Sequence, residues 1–315
     1  DVEFTATDKK ISTPIGNYIL KSLGSGTYTA SLIDFNPQTY RGQVATLAAY
    51  NHQLMIDDML TNHFILPNER LIDEAAQANK YSSTSPLFAP YQSTINDGGL
   101  WTKSYVSFER LSMTHGINVD ETVYGTLIGA DLPAIDLGKG WKFVPTGYVG
   151  YNGGTEKFNG VKITQNGGQG GVMGTFSKKN FIGSMAAYAG GYASDMSVSG
   201  NSDSVGNWFA GTAIKSAYNL HATKQFIVQP TAFLSYNIFG SQNWNSDFGS
   251  ISMNTGTLNG INIAPGINFI YTKKTWSLYG TAQYMFNIND KLNAKAGNIK
   301  VDDLEMRHGY VNYGV

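Results

Sequence analysis

Between residues 99 and 315 the chain reads as ten runs of about ten residues, apolar at every second position and polar but mostly uncharged between. They lie near 100–112, 119–131, 141–152, 162–177, 180–194, 205–220, 225–239, 258–272, 274–287 and 299–315, separated by Gly, Asn, Asp, Ser or Lys. In the seventh, Phe226, Val228, Ala232, Leu234, Tyr236 and Ile238 share one face; Gln229, Thr231, Ser235 and Asn237 share the other. In the eighth, Ile261, Ile263, Ile267, Phe269 and Tyr271 oppose Asn262, Gly266 and Asn268. In the ninth, Trp276, Leu278, Ala282, Tyr284 and Phe286 oppose Ser277, Thr281, Gln283 and Asn287. A period of two places side chains on opposite faces of a strand, so each run has one apolar and one polar side.

Alternation suits both a soluble sandwich and a membrane barrel, and three further features favour the barrel. The runs have the ~9–11 residues that cross a bilayer at a tilt, where sandwich strands average about 5–6. Their polar faces are poor in Lys and Glu, and charged residues are 14% of the chain against roughly 25% in soluble domains. Trp101, Trp141, Trp208 and Trp276 each stand near the start of a run, as interfacial girdles require. The 36 glycines fit a wall that bends and admits close neighbours. No uncharged apolar run approaches the ~18–20 residues of a membrane helix. Zero cysteines exclude disulfides, thiol catalysis and Cys-ligated metals, and a net charge of −1 disfavours nucleic-acid binding. The fold expected is all-β, an antiparallel transmembrane β-barrel. The stretches Ser197 to Gly206 and Ser241 to Thr257 are predicted to be long outer turns, and Lys178-Lys179-Asn180 and Lys273-Lys274 short inner ones.

Residues 1–98 have a different texture. Tyr18-Ile19-Leu20 and Thr27-Tyr28-Thr29 flank Gly24-Ser25-Gly26 and suggest a hairpin. From Arg41 to about His63, Val44, Leu47, Ala48, Leu54, Met55 and Met59 recur near helical spacing, with Gln43, Asn51, His52, Asp57 and Asp58 on the opposite face. Residues 64–98 read as a polar connector. The expected division is 1–40, β-rich; 41–98, helix and connector; 99–315, barrel. The chain starts at Asp1, and its last residues read as mid-strand, so further sequence is expected beyond both ends.

Catalytic and metal motifs are missing. No His-x-x-x-His spacing occurs among His52, His63, His115, His221 and His308, and His52 and His63 with Asp57 and Asp58 read as a solvated helix face. Gly167-Gly168-Gln169-Gly170-Gly171 lies inside a strand pattern without the helix a phosphate loop needs. Asp302-Asp303 and Glu305 do not match a calcium loop. Asp195, Asp203 and Asp247 fall in candidate outer loops without an accompanying His. The reading is therefore no enzyme, no metal and no cofactor. Polar function is expected in the lumen. By alternation Lys103, Glu109, Asp131, Lys215, Gln229, Asn268, Gln283, Glu305 and Arg307 are the inward candidates, either holding a pore helix through Gln43, Asn51 and Asp58 or solvating the interior.

The order of helix, polar connector and a first strand opened by Gly99-Leu100-Trp101-Thr102-Lys103 resembles the translocator domain of monomeric (type V) autotransporters. Tyr124-Gly125-Thr126-Leu127-Ile128-Gly129-Ala130-Asp131, Gly147-Tyr148-Val149-Gly150-Tyr151, Gly170-Gly171-Val172 and the Gln229-Pro230 to Ser235-Tyr236 stretch are similar to strands of that family. The resemblance covers about 41–315. It implies a twelve-stranded outer-membrane barrel, with about ten strands visible here, an α-helix in the lumen, and an upstream passenger of which the first residues would be the tail. The implied partners are outer-membrane lipid, the chain's own N-terminal passenger and the barrel-assembly machinery, with the protein a monomer and no nucleic acid bound. The family's terminal aromatic strand is missing at Val315. The Asn-Asn pair at which some members cleave themselves is absent, so self-cleavage is not carried over. A diffusion porin and a soluble β-sandwich adhesin are the alternatives.

Overall fold

The structure, a computed structural model, describes residues 10–24, 27–65, 98–223, 225–273, 276–307 and 309–314. β1 (Lys10–Ser12), β2 (Gly16–Gly24) and β3 (Thr27–Phe35) form a small antiparallel sheet. A 3-10 turn at Pro37–Tyr40 runs into α1 (Arg41–Thr61). Then come β4 (Gly99–Ser112), β5 (Asn118–Asp131), β6 (Ile135–Gly138), β7 (Trp141–Phe158), β8 (Val161–Lys178), β9 (Phe181–Val198), β10 (Asn201–Tyr218), β11 (Leu220–His221) and β12 (Phe226–Phe239). The chain continues through β13 (Gln242–Ser246), β14 (Ile251–Thr255), β15 (Leu258–Lys273), β16 (Trp276–Ile288), β17 (Leu292–Ala296), β18 (Ile299–Leu304) and β19 (Gly309–Gly314).

Ten of these strands make one curled antiparallel wall in the order β19-β16-β15-β12-β10-β9-β8-β7-β5-β4. They coincide with the ten alternating runs, with one exception. The tenth run, expected at 299–315, is split: β18 leaves the wall, and only β19 pairs with β16. Ser197 to Gly206 is not a long turn. β9 and β10 stay paired up to Val198 and Asn201, because Ser199 (φ 47°) and Gly200 (φ 86°) reverse the chain in two residues. Left-handed dihedrals at both central positions match the twist of paired strands, and Asn159 (φ 41°) with Gly160 (φ 78°) do the same between β7 and β8. Ser241 to Thr257 is not a plain loop either: it folds into β13 and β14, which join β17 and β18 as a separate four-stranded sheet. Lys274, just past the end of β15 at Lys273, and nearly all of the 64–98 connector lie outside the described residues.

The four central strands, β7 to β10, are 18 residues each, about 60 Å at ~3.3 Å per residue and far longer than a tilted bilayer crossing needs. Their polarity inverts part-way. Over the lower portion, nearest Trp141, Lys178, Phe181 and Tyr218, the outer face exposes Val149, Tyr151, Val172, Phe176, Met185, Trp208 and Ile214. Inward, Gln169, Thr175, Ser184 and Lys215 are buried. Over the upper portion Lys157, Lys162, Asn166, Asp195, Ser197, Ser202 and Ser204 point outward and are exposed. There Phe158, Val161, Ile163, Met196, Val198 and Val205 point inward. These upper inner residues share one apolar cluster with Trp244, Met253, Leu292, Ala294, Ala296, Val301 and Leu304 of the four-stranded sheet. That sheet therefore caps the upper end as a sandwich layer, and on β7 to β10 only the lower portion keeps greasy side chains on its outer surface.

The wall's two edges meet at the top. β4 and β19 form no ladder among the described residues; an isolated bridge joins Met113 to Met306. The Thr114 amide donates to the Glu305 carbonyl (2.9 Å) and the Arg307 amide to that of Ser112 (3.2 Å). Below these contacts is a cavity of ≈ 280 Å³ lined by Asn51, Met55, Asp58, Ser107, Glu109 and Tyr310, among others. The expected aromatic girdle holds only in part. Trp208 is exposed on the belt, but Trp101 turns inward, where its indole finds a carboxylate partner.

Candidate functional site: the helix-filled interior

Arg41–Thr61 contains no Pro and is rich in Ala, Leu, Gln and Met, strong helix formers, and the Pro37 turn supplies its start. The helix threads the curled wall and is buried nearly all round; only Met55, Asp58 and Met59 are part-exposed, and Met55 and Asp58 line the gap between β4 and β19. The expectation of a solvated helix face on His52, His63, Asp57 and Asp58 is corrected: these side chains meet the polar inner wall. A buried polar group is tolerated when it is hydrogen-bonded, and the wall supplies the partners.

At the upper end Arg41 is 2% exposed and Asp203 5% exposed. The Arg41 Nη2 donates to Asp203 Oδ2 at 3.0 Å and Nε to the same oxygen at 3.2 Å. Gln43 Nε2 donates to the Leu292 (2.7 Å) and Asp302 (3.0 Å) carbonyls. Tyr40 stacks on His115, and burial, with Asp302 and Asp34 nearby, pushes its phenol up to about 12, so it stays neutral. Mid-helix, Gln165 Nε2 donates to the Ala45 carbonyl (2.6 Å), and Asn51 Nδ2 donates to Glu109 (2.9 Å) and Glu121 (3.3 Å). His52 bonds the Tyr105 hydroxyl (2.9 Å). Asp57 accepts from Tyr188 (2.5 Å), Asn237 (3.0 Å) and Gln53 (2.9 Å).

Toward the lower end Lys215 Nζ is 2.6 Å from Asp58 Oδ1 and also reaches Gln283 (3.5 Å). Lys103 Nζ donates to the Met59 carbonyl (3.0 Å). Asp131 meets His63 (3.0 Å), the Trp101 indole (3.1 Å) and Thr146 (2.7 Å). Gln229 Nε2 donates to the Ile65 carbonyl (3.1 Å) and to Asn219 (2.7 Å), and its Oε1 accepts from Asn268 (2.6 Å). The inner wall thus holds the helix through both side chains and main-chain carbonyls along its whole length.

Of the sequence-predicted residues, Lys103, Glu109, Asp131, Lys215, Gln229, Asn268 and Gln283 point inward, and Gln43, Asn51 and Asp58 bond the wall or its cap. Glu305 and Arg307 do not lie on an inward strand face. They fall between β18 and β19, where strand alternation does not apply; Glu305 pairs with Lys291 at 2.8 Å, and Arg307 is exposed. Sequence reasoning missed Tyr105, Glu121, Asn152, Glu156, Tyr188 and the Arg41–Asp203 pair. Glu121 was legible, standing in the inward phase of its run; Glu156 lies past the end of its run at 152, and cross-strand register puts Glu109, Glu121 and Glu156 in one row. Among the described residues no group of His, Asp and Glu has the arrangement to hold a metal ion.

No family model and no curated protein matches the chain. Solved structures do. The chain is similar to the transport unit of the autotransporter AIDA-I from Escherichia coli, with a TM-score of 0.58 at 13% identity over 68% of this chain and 77% of that one. It is also similar to the beta domain of the Bordetella autotransporter BrkA, with a TM-score of 0.44 at 12% identity over 69% of this chain and 98% of that one; the fold assignment rests on the first. The antiparallel wall curled around α1 thus shares its fold with an autotransporter transport unit.

Proposed function

We propose that this chain is the translocator of a Gram-negative autotransporter: it is embedded in the outer membrane by its lower belt, carries its own upstream passenger to the cell surface, and is then plugged by α1. The observation that carries the reading is direction. The helix starts at the upper end, where the wall's outer face turns polar, and the β1–β3 sheet precedes it there; Gln38 of the connecting turn donates to the Asn159 carbonyl at the tip of the β7–β8 hairpin. Anything attached upstream of residue 10 would emerge on the side away from the belt. In hydrocarbon only helices and closed barrels satisfy the backbone, and the greasy outer belt of the curled antiparallel wall is the surface that suits acyl chains.

In this reading residues 1–40 are the passenger's end, 41–98 the plug and connector, and 99–315 the wall. The inward residues Lys103, Glu109, Asp131, Lys215, Gln229, Asn268 and Gln283 hold the plug through Gln43, Asn51 and Asp58 or their neighbours. The protein is a monomer without enzymatic activity, and its partners are outer-membrane lipid, its passenger and the assembly machinery. Protease shaving of intact cells producing the chain with an epitope upstream of Asp1 is the test. Loss of the epitope with the wall intact is the expected result; an epitope protected until the outer membrane is breached would reject the reading.

A further inference from the structure

We propose that the four-stranded sheet β13-β14-β17-β18 is a lid that closes on the first turn of α1, latched by Arg41 and Gln43, so that cap and plug are one interlocked device. This deepens the translocator reading, on which its biological meaning rests. Asp203 on β10 is the hub: Arg41 bonds it twice, the Trp244 indole donates to the same oxygen at 3.1 Å, and the Asp247 amide reaches Oδ1 at 2.9 Å. Arg41 also donates to Ser246 Oγ at the end of β13 and, through Nη1, to the Gln38 carbonyl (3.0 Å). Its guanidinium lies over the Phe248 ring at 5.5 Å. On the other half of the lid, Gln43 bonds the carbonyls of Leu292 and Asp302, which belong to β17 and β18. Trp244 packs on the helix at Gly42, a position with no room for a side chain.

Apart from the Arg41–Gln38 bond, these contacts join the helix's first residues, the lid and the strand beneath it to one another. Without the helix turn, a closed lid would bury the Asp203 carboxylate without its cation and leave two backbone carbonyls without their donor; an unpaired buried charge is strongly disfavoured. A lid that can shut only when residues 41–43 have arrived at the upper mouth stays open while an extended chain occupies the interior, and closes when transit ends.

Hydrogen exchange of the intact chain in detergent, read over 242–255 and 292–304, tests this, with heat-modifiable gel migration reporting the folded wall. In Arg41→Met the 242–255 amides should exchange at least about tenfold faster than wild type while those of β8 and β9 do not change. Adding Asp203→Asn should recover part of that protection, since both members of the pair are then neutral. Gln43→Met, a neutral swap that keeps the helix, should loosen 292–304 in the same way and remains informative if Arg41→Met does not fold. Unchanged exchange in both lid halves of a folded variant would overturn the latch. Epitope display on cells is scored separately, so a translocator failure, with the wild-type epitope never reaching the surface, is distinct from a latch failure, with the lid equally protected in every variant.

Discussion

At the residue scale the interior inverts the usual rule of burial. Lys215, 2% exposed, is in direct contact with Asp58 and Gln283 inside the wall. Lys215→Met removes the cation and leaves Asp58 facing an apolar stem; we expect a loss of about 3 kcal/mol, read as a lower denaturant midpoint for the heat-modifiable band. Asp58→Asn keeps a hydrogen-bond acceptor for the lysine and should cost less. His52 and Asp57 show why such residues could not be assigned from sequence. A polar side chain on a helix reads as solvated because most helices pack against apolar cores. Here the surface that receives the helix is itself made of Tyr105, Glu109, Tyr188 and Asn237, and polarity ceases to report exposure.

At the element scale the wall was legible and the lid was not. Ten runs stood out because an uncharged polar face alternating with a greasy one is rare outside lipid, and their phase put Gln229, Asn268 and Gln283 on the inner side. β13, β14, β17 and β18 are only five or six residues long. Their outer positions, such as Asn243, Asn245, Ser252 and Asn293, are loop-forming residue types, so the stretch resembles a connection. Glu305 and Arg307 were misplaced for the same reason, since the chain leaves the wall before them. For α1 the element-level consequence is electrical. Deleting residues 41–63 should raise single-channel conductance in planar bilayers well above that of the intact chain, because the helix fills the interior along its length. Equal conductance would remove the plug from the account.

At the scale of the whole molecule, the cysteine-free sequence makes the polarity inversion directly testable. Single cysteines at Val149 or Val172, on the belt, should resist a water-soluble maleimide in bilayers and react once the lipid is replaced by denaturant. Cysteines at Thr164 or Ser202, on the upper outer face, should react at once, whereas one at Ile163, beneath the lid, should not. A uniform response along β8 would contradict the inversion. The same feature has a further consequence for how the molecule settles. Each long strand carries two opposed amphipathic halves, so sliding it by even one dipeptide along its neighbours or along the bilayer normal drags Asp195 or Asn166 toward acyl chains, or lifts Tyr151 and Trp208 into water. In a bilayer the wall would therefore work as its own depth gauge, its immersion fixed by the order of its residues before any other component arrives.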